Sequence, residues 1–214
     1  MTRIKLCGVT NEEDLQAVAA AGADAVGLIT GVADTSPRSV SPGAAARLAR
    51  ASAPFLSTVL VTMPESVSDV TRLTEQVRPD VVQIHGVDVE LAAAIEGEVA
   101  SLIVAADVTE ATRFGGVADA ILVDSVDASG AGGTGETTDW SRARGLVERL
   151  STPVILAGGL TPENVATGIE RVQPYAVDVA SGIEASDGRK DHQKLRSFVH
   201  NADTASGRVG RASR

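Results

Sequence analysis

Apolar residues fall in short, nearly unbroken runs along the whole chain, at residues 4–7, 25–29, 55–61, 81–85, 102–106, 120–124, 154–157 and 176–180. Runs of this kind, rich in Val, Ile, Leu and Ala with few alternating polar positions, fit parallel strands buried on both faces. Between them the apolar spacing changes to that of helices. Thr10 with Glu13 and Thr62 with Glu65 have capping-box spacing, with Gly22 stopping the first helix and Pro64 early in the other. Ser41-Pro42 and Thr161-Pro162 each place a capping hydroxyl before a proline at the first helical position, while Asp88 and Asp139 are further caps. A last helix holds Leu195, Phe198 and Val199, and residues 109–115 have the weakest pattern, with room for a short helix only. Eight strand–helix alternations in roughly 200 residues predict an α/β chain folded as a single (β/α)8 TIM barrel. The rival is an open doubly wound sheet, which usually has fewer strands. The first strand-to-helix turn, Cys7-Gly8-Val9-Thr10, also lacks the G-x-G-x-x-G fingerprint of such sheets. The barrel is expected over residues 1–201, with 202–214, rich in Ser, Gly, Ala and Arg, as a frayed tail.

Composition narrows the function. A hydrophobic share of 43% supports a large core, but aromatics are only 2%, so that core rests on Ala, Val, Leu and Ile. The net charge of −9 argues against nucleic-acid and anionic-membrane partners. No apolar run reaches membrane-spanning length, and the N-terminus lacks the apolar stretch of a signal peptide. One cysteine excludes an internal disulfide and a multi-cysteine zinc site, so a reducing cytoplasm is the expected compartment. The basic residues are 16 Arg against 3 Lys. This bias and the acidity have two readings: an ordinary acidic surface from a GC-rich genome, or adaptation to a salt-rich cytoplasm in which salt screens carboxylate repulsion.

Two long strand-to-helix connections, residues 30–41 and 125–138, would emerge at the C-terminal end of the barrel, where barrel enzymes keep their active sites. They are candidate lids. Cys7 ends the first strand; it is either a small buried apolar residue or, at the barrel mouth beside Lys5, a thiol of lowered pKa. Asp124 follows three apolar residues, a costly place for a carboxylate unless it caps a loop or faces a polar mouth. Asp178 is a similar anomaly inside the last strand, and Asp107 a weaker third one. Arg38, in the first long loop, is either a solvated arginine or a bidentate carboxylate clamp. Gln83 and His85 share one side of the fourth strand, as polar contacts or as structural side chains. No cluster has metal-ligand spacing, so no metal is expected. Glycine turns close the last two strands, at Gly158-Gly159 and Ser181-Gly182. They either serve tight connections or let backbone N–H groups approach a phosphate, which barrels often bind there.

Taken in order, Lys5-Leu6-Cys7-Gly8-Val9-Thr10, Ser36-Pro37-Arg38-Ser39-Val40, Val82-Gln83-Ile84-His85-Gly86, Leu122-Val123-Asp124-Ser125, Gly132-Gly133-Thr134-Gly135 with Asp139-Trp140, Leu156-Ala157-Gly158-Gly159-Leu160 and the segment from Ala176 to Glu184 form one series. With them the chain resembles the phosphoribosylanthranilate isomerase family of tryptophan biosynthesis over about residues 3–200. The resemblance implies a cofactor-free, metal-free Amadori rearrangement of N-(5′-phosphoribosyl)anthranilate to 1-(o-carboxyphenylamino)-1-deoxyribulose 5-phosphate. It implies Cys7 as general base, Asp124 as general acid, Arg38 on the anthranilate carboxylate, the two glycine turns on the phosphate, and Asp178 as a further polar contact. Strands 1 and 6 lie three apart around a closed barrel, so Cys7 and Asp124 would face each other across its mouth. Other readings are an indoleglycerol-phosphate lyase-like barrel, which has no need of Cys7, the histidine-pathway aldose isomerase, which uses two aspartates, and a non-catalytic phosphate-binding barrel. Glu136 stands where the family commonly carries a lysine, adding negative charge beside a dianionic substrate. Monomer and homodimer are both compatible with the sequence.

The salt-rich reading predicts a melting temperature that rises when KCl is raised to molar concentration; thermal denaturation without such a rise leaves the ordinary acidic surface.

Overall fold

The apolar runs become strands because each is buried on both sides, once by its neighbours around a ring and once by the helices outside it. In a computed structural model, which describes residues 1–32, 36–124, 139–186 and 188–207, the chain alternates strands and helices throughout. The parallel strands are β1 (Arg3–Cys7), β2 (Ala25–Ile29), β3 (Ser57–Thr62), β4 (Val81–Ile84), β5 (Leu102–Ala106), β6 (Ala120–Val123), β7 (Val154–Leu156) and β8 (Ala176–Val179). They pair in sequence order, and β8 closes on β1 with Lys5 opposite Asp178. The helices are α1 (Glu12–Ala21), α2 (Pro42–Ala51), α3 (Val67–Val77), α4 (Val89–Glu96), α5 (Trp140–Arg149), α6 (Val165–Val172) and α7 (His192–Ala205). A short 3₁₀ turn, Ala111–Phe114, replaces the helix between β5 and β6, as the weak pattern there implies. The fold is the expected (β/α)8 barrel.

Strand alternation separates two apolar layers. Outward residues such as Ile4, Leu6, Leu28, Leu60, Ile84, Ile121 and Val177 pack against the helices. Inward residues are smaller, among them Ala105, Ala120, Ala157 and Ala176 with Val59, Val61, Ile103, Leu122 and Ile155. Cys7 belongs to this inner layer, so its burial comes from the barrel interior.

Local signals at helix starts are displaced in three places. Asn11, not Thr10, caps α1, its Oδ1 accepting from the Asp14 N–H at 2.8 Å. Thr62 stays in β3, and Ser66 caps α3, leaving Pro64 in the connection. Helix α6 starts at Val165, because Asn164 Oδ1 turns back to the Thr161 N–H at 2.8 Å. Ser41, Asp88 and Asp139 cap where expected. Phe55 lies ahead of β3 and is 99% exposed, so the third strand starts later than its apolar run. Helix α7 reaches Ala205 and buries Ala202, so the chain is helical over 202–205, where a tail is expected. Residues 208–214 lie outside the described residues. Among the described residues no helix is long and apolar enough to cross a membrane.

The outer layer has a large anchor in α7. Phe198 of α7 is fully buried, where α7 packs against α6 and α1. Phe198→Ala is therefore expected to lower the unfolding free energy by about 3–5 kcal/mol in a denaturant titration, through lost transfer energy and the cavity left behind.

Candidate active site

The inward face of β1 carries Lys5 and then Cys7, one pleat closer to the mouth. Lys5 Nζ meets Asp178 Oδ1 of β8 at 2.9 Å with both side chains buried. Burial opposes the ammonium, yet Asp178 and Cys7 outweigh it and hold Lys5 above its ordinary pKa. Above this pair the Cys7 sulfur lies over Gly27 of β2, where a Cβ would stand 2.5 Å from Sγ. A side chain there would displace the thiol. Cys7 is 5% exposed rather than the partly open thiol of lowered pKa that its position at the mouth suggests. Burial pushes the thiol up, Lys5 and Lys190 pull the other way, and Asp178 adds to the upward push. The net direction is up.

Across the interior, β4 brings Gln83 to His85, with Gln83 Nε2 and His85 Nε2 2.7 Å apart. Burial and the nearby Lys5 ammonium lower the His85 pKa to about 4, so the ring is neutral at physiological pH. Asp124 follows β6 and is 8% exposed, at the same end of the barrel as Cys7. Asp107 is different. Its carboxylate accepts from the Thr109 N–H and hydroxyl at 2.8 and 2.6 Å, so it caps the turn after β5.

The two glycine turns are brought into contact. Gly158 and Gly159 follow β7 with φ of +82° and +61°. Ser181 and Gly182 lie in a 3₁₀ turn, Ser181–Ile183, directly after β8. A Cβ on Gly182 would stand 1.9 Å from the Leu160 carbonyl oxygen, so only glycine lets the backbones of the two turns touch.

Arg38 reaches the same mouth from the β2–α2 connection. Its stem lies over Gly8, where a Cβ would be 2.9 Å from Arg38 Cδ. Its guanidinium forks onto Glu184, with Nε donating to Oε1 at 2.8 Å and Nη2 to Oε2 at 2.9 Å. Glu184 begins β9 (Glu184–Ser186), which pairs with β10 (Arg189–Lys190) in a small antiparallel hairpin between β8 and α7. Lys190 Nζ, buried, donates to Glu184 Oε1 and to the Ala180 carbonyl, both at 3.0 Å. Burial lowers the Lys190 pKa against the pull of Glu184. Glu184 is held below its ordinary value because Arg38 and Lys190 overcome its burial.

These features coincide with one family. A family model described as N-(5′phosphoribosyl)anthranilate (PRA) isomerase matches residues 4–201. The chain belongs to this isomerase family. N-(5′-phosphoribosyl)anthranilate isomerase of Natronomonas pharaonis is 52% identical over 93% of this chain and 97% of that protein. Its counterpart in Haloferax volcanii is 52% identical over 98% and 96% of the two chains. Among solved structures, phosphoribosyl anthranilate isomerase from Thermotoga maritima superposes with a TM-score of 0.83 at 34% identity, covering 95% of this chain and all of that one. A phosphoribosyl anthranilate isomerase in complex with reduced 1-(o-carboxyphenylamino)-1-deoxyribulose 5-phosphate gives a TM-score of 0.81 at 33% identity, covering 95% of this chain and 100% of that one.

At the isomerase mouth the fold thus gathers Cys7, Asp124, Arg38, Gln83, His85, Asp178 and both glycine turns. The Gly132–Gly135 motif, Glu136, Thr138 and the rest of 125–138 lie outside the described residues, as do 33–35 of the other long loop. Glu184 and Lys190 carry no role in the sequence reading. A charged residue in an otherwise apolar strand is a signal for Lys5 as much as for Asp178, but nothing local singles out Glu184 or Lys190.

Cys7 is the only cysteine, so alkylation reports on it alone. A raised pKa means the thiol keeps its proton to higher pH. The alkylation rate of the ligand-free protein is expected to rise with a midpoint above the roughly 8.5 of an unperturbed thiol. Lys5→Met is expected to move that midpoint further up, since it removes a cation that opposes protonation.

Proposed function

We propose that Cys7 and Asp124 are the base and acid of the isomerisation that this family performs, the Amadori rearrangement of N-(5′-phosphoribosyl)anthranilate to 1-(o-carboxyphenylamino)-1-deoxyribulose 5-phosphate in tryptophan biosynthesis. The observation that carries this assignment is the placement of a buried thiol and a buried carboxylate on β1 and β6, three strands apart at one end of a closed barrel. The glycine turns after β7 and β8 occupy the arc between them. A phosphosugar held at those turns, by backbone N–H groups of Gly158, Gly159, Ser181 and Gly182, extends its ring between the two side chains. Arg38 meets the anthranilate carboxylate, and Gln83, His85 and Asp178 supply polar contacts below the sugar.

The chemistry needs both groups. Asp124 gives its proton to the ribose ring oxygen while the anilino nitrogen pushes its lone pair into the C1′–N bond and the C1′–O bond breaks. The Cys7 thiolate then removes the C2′ proton, and the electrons neutralise the iminium to give an enolamine. Protonation at C1′ and loss of the C2′ hydroxyl proton leave the ketose. A thiol with a carboxylate and a thiolate with a carboxylic acid hold the same number of protons. Starting from a thiolate and a carboxylic acid therefore needs no change in the number of protons on the pair. The Lys5 and Lys190 ammonium groups favour the thiolate. A neutral His85 adds no further positive charge beside Lys5. The reaction takes place in the cytoplasm, on a small substrate, without a nucleic-acid or membrane partner.

The test is steady-state kinetics with the fluorescent anthranilate adduct as substrate. Cys7→Ala and Asp124→Asn are each expected to lower kcat at least roughly 10²-fold while substrate still binds, the usual contribution of a positioned acid or base. Near-normal turnover in Asp124→Asn would move the acid role to Asp178.

A further inference from the structure

Three groups of unlike origin meet at the mouth: Arg38 from the β2–α2 connection, Glu184 from the start of the hairpin and Lys190 from its end. Two cations share one carboxylate, so the trio carries a net positive charge. The fork from Arg38 has near-ideal length in both arms, at 2.8 and 2.9 Å. It uses the Nε–Nη2 edge of a planar group whose orientation is otherwise set by four rotatable side-chain bonds. The stem beneath is pinned by its contact with Gly8.

Glu184 is itself held from several directions. Lys190 Nζ fixes its Oε1 at 3.0 Å while also tying the Ala180 carbonyl at the end of β8. Lys194 Nζ donates to the Glu184 carbonyl at 2.9 Å. The hairpin is anchored to the neighbouring loops: Thr10 Oγ1 donates to the Gly188 carbonyl at 3.1 Å, and the Lys190 N–H to Asp14 Oδ2 at 3.3 Å. Gly188, with φ of +73°, packs so closely that a Cβ would stand 2.3 Å from the Pro37 carbonyl oxygen, one residue before Arg38. The loop that bears the arginine and the hairpin that bears the glutamate are thus locked together at two adjacent points.

We propose that Glu184 is the positioning residue of the carboxylate clamp: by engaging the Nε–Nη2 edge of Arg38 it fixes the plane of the guanidinium in which the anthranilate carboxylate is recognised. This rests on the reading that Arg38 binds that carboxylate. An arginine held in its binding orientation before substrate arrives loses less freedom on binding than one that must be ordered by the substrate. Removing the glutamate charge leaves the trio more positive. Simple electrostatics then predicts tighter binding of an anionic substrate, whereas loss of orientation predicts weaker recognition. The two effects have opposite signs.

The experiment compares kcat/KM for N-(5′-phosphoribosyl)anthranilate with that for the aniline analogue lacking the ring carboxylate. The ratio of the two measures carboxylate recognition, and it is taken for the unaltered enzyme, Arg38→Ala, Glu184→Gln and Glu184→Asp, with folding followed by circular dichroism. Arg38→Ala is expected to lower the ratio by roughly 30-fold or more. Glu184→Gln is expected to lower it by about 10-fold, mainly through KM of the carboxylated substrate, with the aniline analogue within about threefold of the unaltered enzyme. Glu184→Asp keeps the charge but withdraws the carboxylate by one methylene, and it lowers the ratio in the same direction. Should Glu184→Gln fail to fold, the Asp variant provides the comparison. A ratio that stays constant or rises in a folded Glu184 variant, while Arg38→Ala loses it, overturns the positioning role. An equal loss for both substrates also overturns it, since Glu184 would then be a structural residue only. A ratio unchanged in Arg38→Ala shows instead that the carboxylate is held elsewhere.

Discussion

Closing the barrel puts the Lys5 ammonium against the Asp178 carboxylate in an interior lined largely by Ala, Val, Ile and Leu. Neither charge can be buried alone, since an unpaired ion in such surroundings costs several kcal/mol after all relaxation. The pair forms only if β1 and β8 meet in one register, with Lys5 opposite Asp178. A slip of one residue would turn one of the two side chains outward among the helices and leave the other charge buried alone. The same register places Cys7 one pleat above Lys5 and lays its sulfur over Gly27. The thiol position and the charge beside the thiol therefore follow from the same β1–β8 register that the ion pair requires.

The site is charged beneath and glycine-rich above. The polar layer of Lys5, Asp178, Gln83 and His85 stands between the apolar floor of the barrel and the mouth. Above it, atoms must come closer than side chains permit. Gly182 lets the β8 turn touch the Leu160 carbonyl, and Gly8 makes room for the Arg38 stem. Each of these glycines is required by a close approach of two segments far apart in the chain. The result is a mouth where backbone N–H groups, a forked guanidinium and two buried lysines all favour an anion, as the phosphate and carboxylate of the family's substrate demand.

The strands were legible because burial on both faces leaves a direct mark on the chain. A run such as Leu102 to Ala106 needs no tertiary knowledge to be placed, and it is found as expected. Caps were less legible, because several residues near a helix start can accept the same N–H bonds. Thr10 was a reasonable cap for α1, but its side chain turns to donate to the Gly188 carbonyl, and Asn11 accepts the Asp14 N–H instead. Phe55 had strand-like neighbours yet lies exposed before β3, since apolar character alone does not decide whether a residue joins the ladder.

Ordered motifs around Cys7, Arg38, Asp124 and the two glycine turns contained enough information for the architecture and the family. Their chemical settings did not follow from the same information. The raised thiol pKa depends on how completely the barrel buries Cys7, and burial is a sum over all eight strands. Asp107 and Asp124 both follow apolar strands. They separate only when the fold shows Asp107 turned onto its own loop at Thr109 and Asp124 buried at the mouth. The Arg38–Glu184 fork joins residues 146 positions apart, and the Lys5–Asp178 pair residues 173 apart. Such pairings leave no local pattern, because they are set by the distance between two loops or two strands in space and not by any spacing along the chain.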